Sequence, residues 1–237
     1  YEIMVNYELG RFITSYGIGL DIGDGWTWIY DVTDFRPLLA DSVHLTAGNF
    51  QELLDLKFYM IEGTPPREVK DIRKLWHGTY SLNNFEALVP PDTVDLHPDA
   101  ENWKLKITTS GHDFDNSTNC AEFCQKTHWV DVNGNEEYTW EIIDECGDNP
   151  LYPQGGTWIY DRAGWCPGAR VTERHLELTP FITGNSAIID YNCDSDPYGR
   201  YRVTSYLFEY GPPNFNLDAA VEQILSPNKM EVYSRIN

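Results

Sequence analysis

The positions of the cysteines constrain this chain more than any other feature of its sequence. An extended strand rises about 3.3 Å per residue, so cysteines four positions apart in one strand would be separated by roughly 13 Å. A disulfide requires Cα atoms within about 7 Å, so a bond between Cys120 and Cys124 would close residues 120–124 into a tight covalent loop. Glu122 would lie at the tip of that loop, held in a fixed position, which predicts that its carboxylate is functional.

One interpretation of the five cysteines is a pair of disulfides. These would join Cys120 to Cys124 and Cys146 to Cys166, and would leave Cys193 over. Disulfides form and persist in oxidising environments. This interpretation therefore places the protein outside the cell, on the cell surface or in a periplasm.

The competing interpretation is a metal site. Cys120, Cys124 and His128 recur every four residues and would share one face of a helix. However, the sequence around His128, residues 127–134, alternates in polarity like a strand and ends in an Asn-Gly turn. The alternation favours disulfides, with His128 as a structural residue, and we expect neither a metal nor another cofactor.

The charge balance excludes several classes of partner. The chain has 37 acidic and 17 basic residues, for a formal net charge of −20. This excess repels phosphate backbones and anionic lipids, so we expect no nucleic-acid partner and no binding to a membrane surface. No apolar run approaches the roughly 18 residues of a membrane span. The acidic clusters at 21–24 and 194–196 lack the spacing of an EF-hand, which favours a solvated acidic surface over bound Ca²⁺.

Alternating polarity and turn-forming dipeptides dominate the chain, which predicts an all-β fold. Short strands separated by Gly, Pro, Asn and Asp are typical of antiparallel sandwiches, jelly rolls included. Helical spacing is visible only from Leu217 to Leu225. The predicted strands lie in five segments: residues 7–14, 26–32, 56–61, 103–108 and 201–208.

A proline-containing stretch, residues 90–99, is interpreted as a linker. We therefore predict two domains, residues 1–95 and 96–237, each a β jelly roll or sandwich. The chain opens at Tyr1 as if within a strand and stops as abruptly at Asn237. From this we expect a piece of a longer polypeptide, whose first jelly roll lacks its N-terminal strands and whose other domains are partners.

Six motifs occur in an order that resembles the peptide-N-glycosidase F family. Several motifs in fixed order are far more specific than any one of them, and together they span most of the chain. They are YELGRFIT at 7–14, DVTDF at 31–35, GTP at 63–65, NCAEFC at 119–124, KTH at 126–128 and DRAGWCPG at 161–168.

The resemblance implies two adjacent antiparallel jelly rolls, with a glycan-binding cleft at their interface and no metal. It implies hydrolysis of the bond between an asparagine side-chain nitrogen and the first N-acetylglucosamine of an N-linked glycan. It also supports the disulfide pairing given above. Glu122 matches the family's cysteine-bracketed catalytic glutamate, Arg162 and Trp165 match residues that line the cleft, and His112 matches a histidine near the sugar.

Each of these residues also has a structural interpretation. Glu122 would be a solvated turn acid, Trp165 would pack against the neighbouring disulfide, and Arg162 would form an ion pair with Asp161 or another neighbour. His112 ends a predicted strand, where functional sites tend to lie.

The chain also departs from the family pattern. The family's principal catalytic aspartate belongs to an Asp-Arg pair that is absent here and is expected upstream of Tyr1. No carboxylate stands near residues 48–49, where the family has an interface glutamate, and Phe50 and Phe123 stand in place of cleft tryptophans. The alternative function is therefore a non-catalytic glycan-binding or structural module of a larger cell-surface protein.

Overall fold

The structure is a computed structural model that describes residues 6–20, 25–48 and 53–217. Its regular structure within those ranges is mainly extended, with one short α-helix, α1 (Phe85–Leu88), and four short 3-10 helices, the first of them Thr33–Leu39. The strands that these ranges contain are β1 (Arg67–Ser81), β2 (Asp92–Asp95), β3 (Asn102–His112), β4 (Lys126–Val132), β5 (Asn135–Ile142), β6 (Glu173–Glu177), β7 (Ser186–Cys193) and β8 (Arg200–Pro213).

The strands form two four-stranded antiparallel sheets. The first has the order β1-β8-β3-β6 and the second the order β2-β7-β4-β5. Strands that are distant in the chain are neighbours in both sheets, which is the arrangement of an eight-stranded jelly roll. The all-β, antiparallel fold class predicted from the sequence is thus confirmed.

The two sheets pack face to face around one hydrophobic core. Side chains alternate along a strand, so every second residue of β4 is buried while those between face outward. Val130 and Val132 of β4 meet Leu105 and Ile107 of β3 in this core. Each of these four side chains is almost fully buried.

The outer face of the first sheet is covered as well. Phe35, from the 3-10 helix Thr33–Leu39, packs edge-on against Tyr206 and Phe208 of β8, at centroid distances of 5.4 and 5.1 Å. In a strand that is covered on both faces, consecutive residues are buried. This pattern is seen in β8 and in the second half of β3. The first half of the chain is therefore part of the packing that stabilises this sheet.

The predicted domain division at residue 95 falls between β2 and β3 of this jelly roll. β1 pairs with β8 and β2 pairs with β7, so residues 67–95 belong to the same two sheets as the residues that follow. The proline-containing stretch is also held in place, because Trp76 Nε1 donates to the carbonyl of Pro90 at 3.0 Å. Proline marks a connection between strands here, inside one jelly roll.

Three predicted strands take another form. Within residues 7–14, 26–32 and 56–61 the structure forms no regular strand, and a single bridge joins Phe12 to Arg170. A strand needs a partner along its length, and among the described residues these segments have at most a short one, residues 168–171 opposite residues 11–13. The strands predicted at 103–108 and 201–208 are confirmed as parts of β3 and β8. The predicted helix beyond Leu217 lies outside the described residues, and no helix within them has the length and apolarity to cross a membrane.

His128 lies on β4, as its alternating segment predicted, and is completely buried. Its ring stacks near those of Tyr191 and Trp140, at 5.8 and 6.0 Å, and Nδ1 is 2.8 Å from the Tyr191 hydroxyl. Burial lowers the pKa of His128 to about 3, with a smaller effect from Arg174. The imidazole is therefore a neutral core residue, as expected of a structural histidine.

We predict that His128→Phe reduces the loss of folding stability at acidic pH. The pKa of His128 is lowered on folding, so the unfolded chain takes up a proton as the pH falls below about 6.5, whereas the native state does so only near pH 3. Wild-type stability should fall through that window, by about 2 kcal/mol at pH 5 from this residue alone. Chemical denaturation at several pH values measures the effect. The exposed His44 provides the control, since His44→Gln should keep the wild-type slope, and an unchanged slope in His128→Phe would contradict the prediction.

Candidate functional site

The loop between β3 and β4 contains the cysteine-bracketed glutamate. Cys120 and Cys124 are joined by a disulfide with Cα atoms 4.8 Å apart, which confirms the tight loop predicted around Glu122. These cysteines bind each other, so the metal interpretation with His128 is wrong. Among the described residues no group of three or more His, Cys, Asp or Glu side chains is placed to hold a metal ion.

The second disulfide lies in the connection between β5 and β6. Cys146 and Cys166 are joined with Cα atoms 5.1 Å apart, and Cys193 is a buried free thiol. Both pairings agree with the sequence-based interpretation. The bond closes the long β5–β6 connection, which carries Arg162 and Trp165, onto itself.

Two glycines allow the Cys120–Cys124 loop to approach the sheet. A Cβ atom at Gly111 of β3, or at Gly199 just before β8, would overlap the backbone of Ala121. Gly199 also has a φ of +84°, a conformation that other residues adopt only with strain. The backbone of Glu122 is then held on both sides, because its N–H donates to Asp113 O at 3.1 Å and its carbonyl accepts from Ala163 N at 2.9 Å.

Glu122 forms an ion pair with Arg162. Nη1 of Arg162 donates to Oε1 of Glu122, and the side chains are only 1% (Arg162) and 14% (Glu122) exposed. The partner of Arg162 is thus Glu122 and not Asp161, so the ion pair with a neighbour considered from the sequence is formed with the catalytic candidate itself. Buried charges are costly unless they are paired, so this contact ties the β3–β4 loop to the β5–β6 connection.

The Arg162 guanidinium is anchored on its other side as well. Nη2 donates to the carbonyl and the hydroxyl of Thr157, at 2.9 and 3.0 Å. Backbone hydrogen bonds in both directions join Arg162 to Asp144, at 2.8 and 3.1 Å. The charge is thereby held in one position relative to the Glu122 carboxylate.

Three aromatic rings surround this guanidinium. Its central carbon lies 4.5 Å from the ring centre of Phe123, 5.1 Å from that of Trp165 and 5.6 Å from that of Tyr16. Arg–aromatic contacts of this kind are attractive, and the rings also keep water away from the ion pair. Phe123 in turn meets the exposed Phe114 edge-on at 5.0 Å, so the aromatic surface continues toward solvent.

The pKa of the Glu122 carboxyl is raised above its usual value. Burial is the main cause and Asp113 adds to it, whereas the positive charge of Arg162 acts in the opposite direction. A carboxyl group with a raised pKa exchanges a proton more readily near neutral pH than an ordinary glutamate. The solvated turn acid considered from the sequence does not describe Glu122.

His112, the last residue of β3, lies beside this pair. Its ring meets that of Trp165 edge-on at 5.9 Å, and its Nε2 is 2.9 Å from the Ser110 hydroxyl. Burial lowers the pKa of His112 to about 4, with contributions from nearby arginines. Trp165 thus contacts both His112 and Arg162, which supports a place in the site over simple packing against the disulfide.

The first half of the chain reaches the site through a short antiparallel contact with residues 168–171. Ile13 exchanges hydrogen bonds with Ala169 and Gly168, at 2.8 and 2.9 Å, and Val171 N donates to Arg11 O at 2.8 Å. This contact brings Tyr16 over Arg162 and Arg11 beneath β3. The glycosidase-like motif at 7–14 includes Arg11, but no local pattern in the sequence pointed to Tyr16 or to Thr157.

Other predicted features lie elsewhere. Phe50 and the acidic cluster at 21–24 are outside the described residues. In the cluster at 194–196, Asp196 pairs with Lys126 at 3.1 Å and Asp194 accepts from the backbone of Thr127 at 3.1 Å. These carboxylates bind groups of the protein.

Comparisons with known proteins agree with the resemblance seen in the sequence. The family model for the C-terminal domain of peptide-N-glycosidase F matches residues 82–208. A curated relative, the peptide-N(4)-(N-acetyl-β-D-glucosaminyl)asparagine amidase F of Elizabethkingia miricola, is 30% identical over 80% of this chain and 58% of its own length. The chain therefore spans little more than half of that protein.

Solved structures share the fold. The structure of PNGase F from Flavobacterium meningosepticum superimposes with a TM-score of 0.55 at 24% identity, over 64% of this chain and 55% of that one. A second structure of an amidase of this name gives a TM-score of 0.54 over 67% and 57% of the two chains. The matched family model and the curated relative show that the chain belongs to the peptide-N-glycosidase F family, and the jelly roll with its disulfide-bracketed Glu122 agrees with this.

Proposed function

We propose that this protein is a peptide-N-glycosidase-like amidohydrolase that removes N-linked glycans and converts the glycosylated asparagine to aspartate. Its partners are N-linked glycans and the glycoproteins that carry them. The observation that supports this proposal most is Glu122, a half-buried carboxyl with a raised pKa that a disulfide loop holds against Arg162.

The reaction requires proton transfer at two points. An amide carbon is a poor electrophile, so the attacking water must be deprotonated, and the amide nitrogen is a poor leaving group unless it is protonated. The pKa of Glu122 is raised by burial, which suits a group that gives up and takes back a proton. The other proton transfer requires a second acid or base beside Glu122.

The residues around Glu122 suit recognition of a sugar. Trp165 and Phe123 offer aromatic faces for the apolar side of a pyranose ring, and His112 offers a polar ring beside them. Placing the substrate against a fixed carboxylate supplies a large part of the rate enhancement in such reactions. Arg162 holds Glu122 in position and orders the aromatic rings around itself.

A second candidate function is glycan binding without hydrolysis. It is favoured by the Glu122–Arg162 ion pair, because a paired carboxylate gives up part of its capacity to accept a proton. The same aromatic rings would still bind a glycan. In both cases the two disulfides favour an oxidising compartment, outside the cell, on its surface or in a periplasm.

We predict that Glu122→Gln lowers glycan release by about 10²- to 10⁴-fold, because the amide keeps the shape of glutamate but transfers no proton. The assay incubates the full-length protein with a defined N-glycopeptide in heavy-oxygen water. Mass spectrometry then detects conversion of Asn to Asp and the single heavy oxygen that hydrolysis introduces. Glu141, an exposed glutamate of β5, provides the matched control, and Glu141→Gln should retain full activity.

The outcomes separate the two candidate functions. Conversion by the wild type that persists in Glu122→Gln would remove Glu122 from the chemistry. A folded wild-type protein that binds the glycopeptide without converting it would support the binding module. A folded wild-type protein that neither binds nor converts the glycopeptide would contradict both functions.

The pH profile of the reaction tests the role of Arg162. Arg162 lowers the pKa of Glu122, so Arg162→Gln should raise that pKa and move the acid limb of the activity profile to higher pH. Arg162→Lys keeps the positive charge and should move the limb less. Circular dichroism checks that each variant is folded, since Arg162 is buried. An acid limb that is the same in all three proteins would show that the limb belongs to another group.

A further inference from the structure

Arg11 is a buried arginine that connects the first half of the chain to the site. Its side chain is only 8% exposed, and Nε donates to Glu8 Oε1 at 2.8 Å. The other end of the guanidinium faces the jelly roll, where Nη2 donates to the Thr204 hydroxyl at 3.1 Å. Nη1 donates to the carbonyl of Arg202 at 3.0 Å and to the hydroxyl of Ser110 at 2.9 Å.

Ser110 lies between Arg11 and His112. It is completely buried in β3, and its oxygen is 2.9 Å from Arg11 Nη1 on one side and 2.9 Å from His112 Nε2 on the other. These are the hydrogen bonds of its side chain that the structure describes. The hydroxyl therefore connects a permanent cation to the histidine ring.

The chemistry of these groups determines where the protons lie. A guanidinium has donors and no acceptor, so the Ser110 oxygen must accept from Arg11. The Ser110 proton then needs an acceptor, since a buried hydroxyl without one is costly, and His112 Nε2 is in reach. If Nε2 accepts, the proton of the neutral imidazole resides on Nδ1.

We propose that Arg11 is a positioning residue which, through the Ser110 hydroxyl, holds His112 as the neutral tautomer that carries its proton on Nδ1. The ring then has one donor, Nδ1–H, left for a ligand. The importance of this tautomer for glycan release rests on the proposed function, whereas the existence of the tautomer does not.

The charged groups around His112 act in the same direction. Arg11 and Arg202 oppose a positive charge on the ring, Arg200 does so more weakly, and Asp113 favours it. Burial is the largest effect, and together they lower the pKa of His112 to about 4. The ring is therefore neutral at the pH where its tautomer is to be observed.

Nitrogen NMR of isotope-labelled histidine measures the tautomer directly. The chain has six histidines, and a spectrum of His112→Gln assigns the signal of His112 by its disappearance. For the wild type at neutral pH we expect a protonated Nδ1 and an unprotonated Nε2. A wild-type His112 protonated on Nε2 would overturn the proposal without any variant.

Ser110→Ala removes the connecting hydroxyl and leaves Arg11 and His112 in place. We expect the signal of His112 to change to a mixture of the two tautomers. Ser205 of β8 provides the matched control: it is equally buried and its hydroxyl accepts from the backbone of Trp76 at 3.0 Å. Ser205→Ala should leave the tautomer of His112 unchanged. If His112 in Ser110→Ala keeps the same tautomer as in the wild type, the proposal is overturned.

Kinetics separates this inference from the proposed function. If the full-length protein releases glycans, Ser110→Ala should lower kcat/KM by about tenfold, the worth of one hydrogen bond, and Ser205→Ala should not. If the wild type releases none, the proposed function fails while the NMR measurement still decides the tautomer. If the tautomer of His112 changes in Ser110→Ala as expected but kcat/KM stays at the wild-type value, the tautomer does not matter for glycan release. That result would overturn the positioning role of Arg11.

Discussion

The buried ion pair between Glu122 and Arg162 is the contact on which the site depends. Taking two charges out of water costs free energy that only close pairing and further hydrogen bonds recover. Thr157 supplies those bonds to Arg162, and the rings of Phe123 and Trp165 exclude water from the pair. Two connections that are distant in the chain are thereby held together at one end of the jelly roll.

The jelly roll supplies a rigid base for these connections. β3 ends at His112, β4 begins after the disulfide loop, and the long connection after β5 carries Arg162. Chemistry is placed on loops because strand residues are committed to packing and to ladder hydrogen bonds. The two disulfides compensate for the flexibility that loops would otherwise have, since each closes one of these connections covalently.

The sequence predicted the fold well where its signal is local. Alternation identified β3, β4 and β8, and the Asn-Gly turn after β4 was recognised from two residues. It was less successful before residue 67, where alternating segments have no partner strand among the described residues. It also placed a domain division at residue 95, because proline is common both in linkers and in the connections within a β domain.

The sequence by itself determined the all-β class, the disulfide loop around Glu122 and the family, because these depend on residue spacing and on motifs that are contiguous in the chain. Only the tertiary structure decided that Arg162 pairs with Glu122, that Tyr16 lies over that arginine and that Arg11 reaches His112 through Ser110. These contacts join residues up to about a hundred and fifty positions apart, and their energies come from burial and geometry. Such quantities exist only after the sheets have packed and water has been excluded.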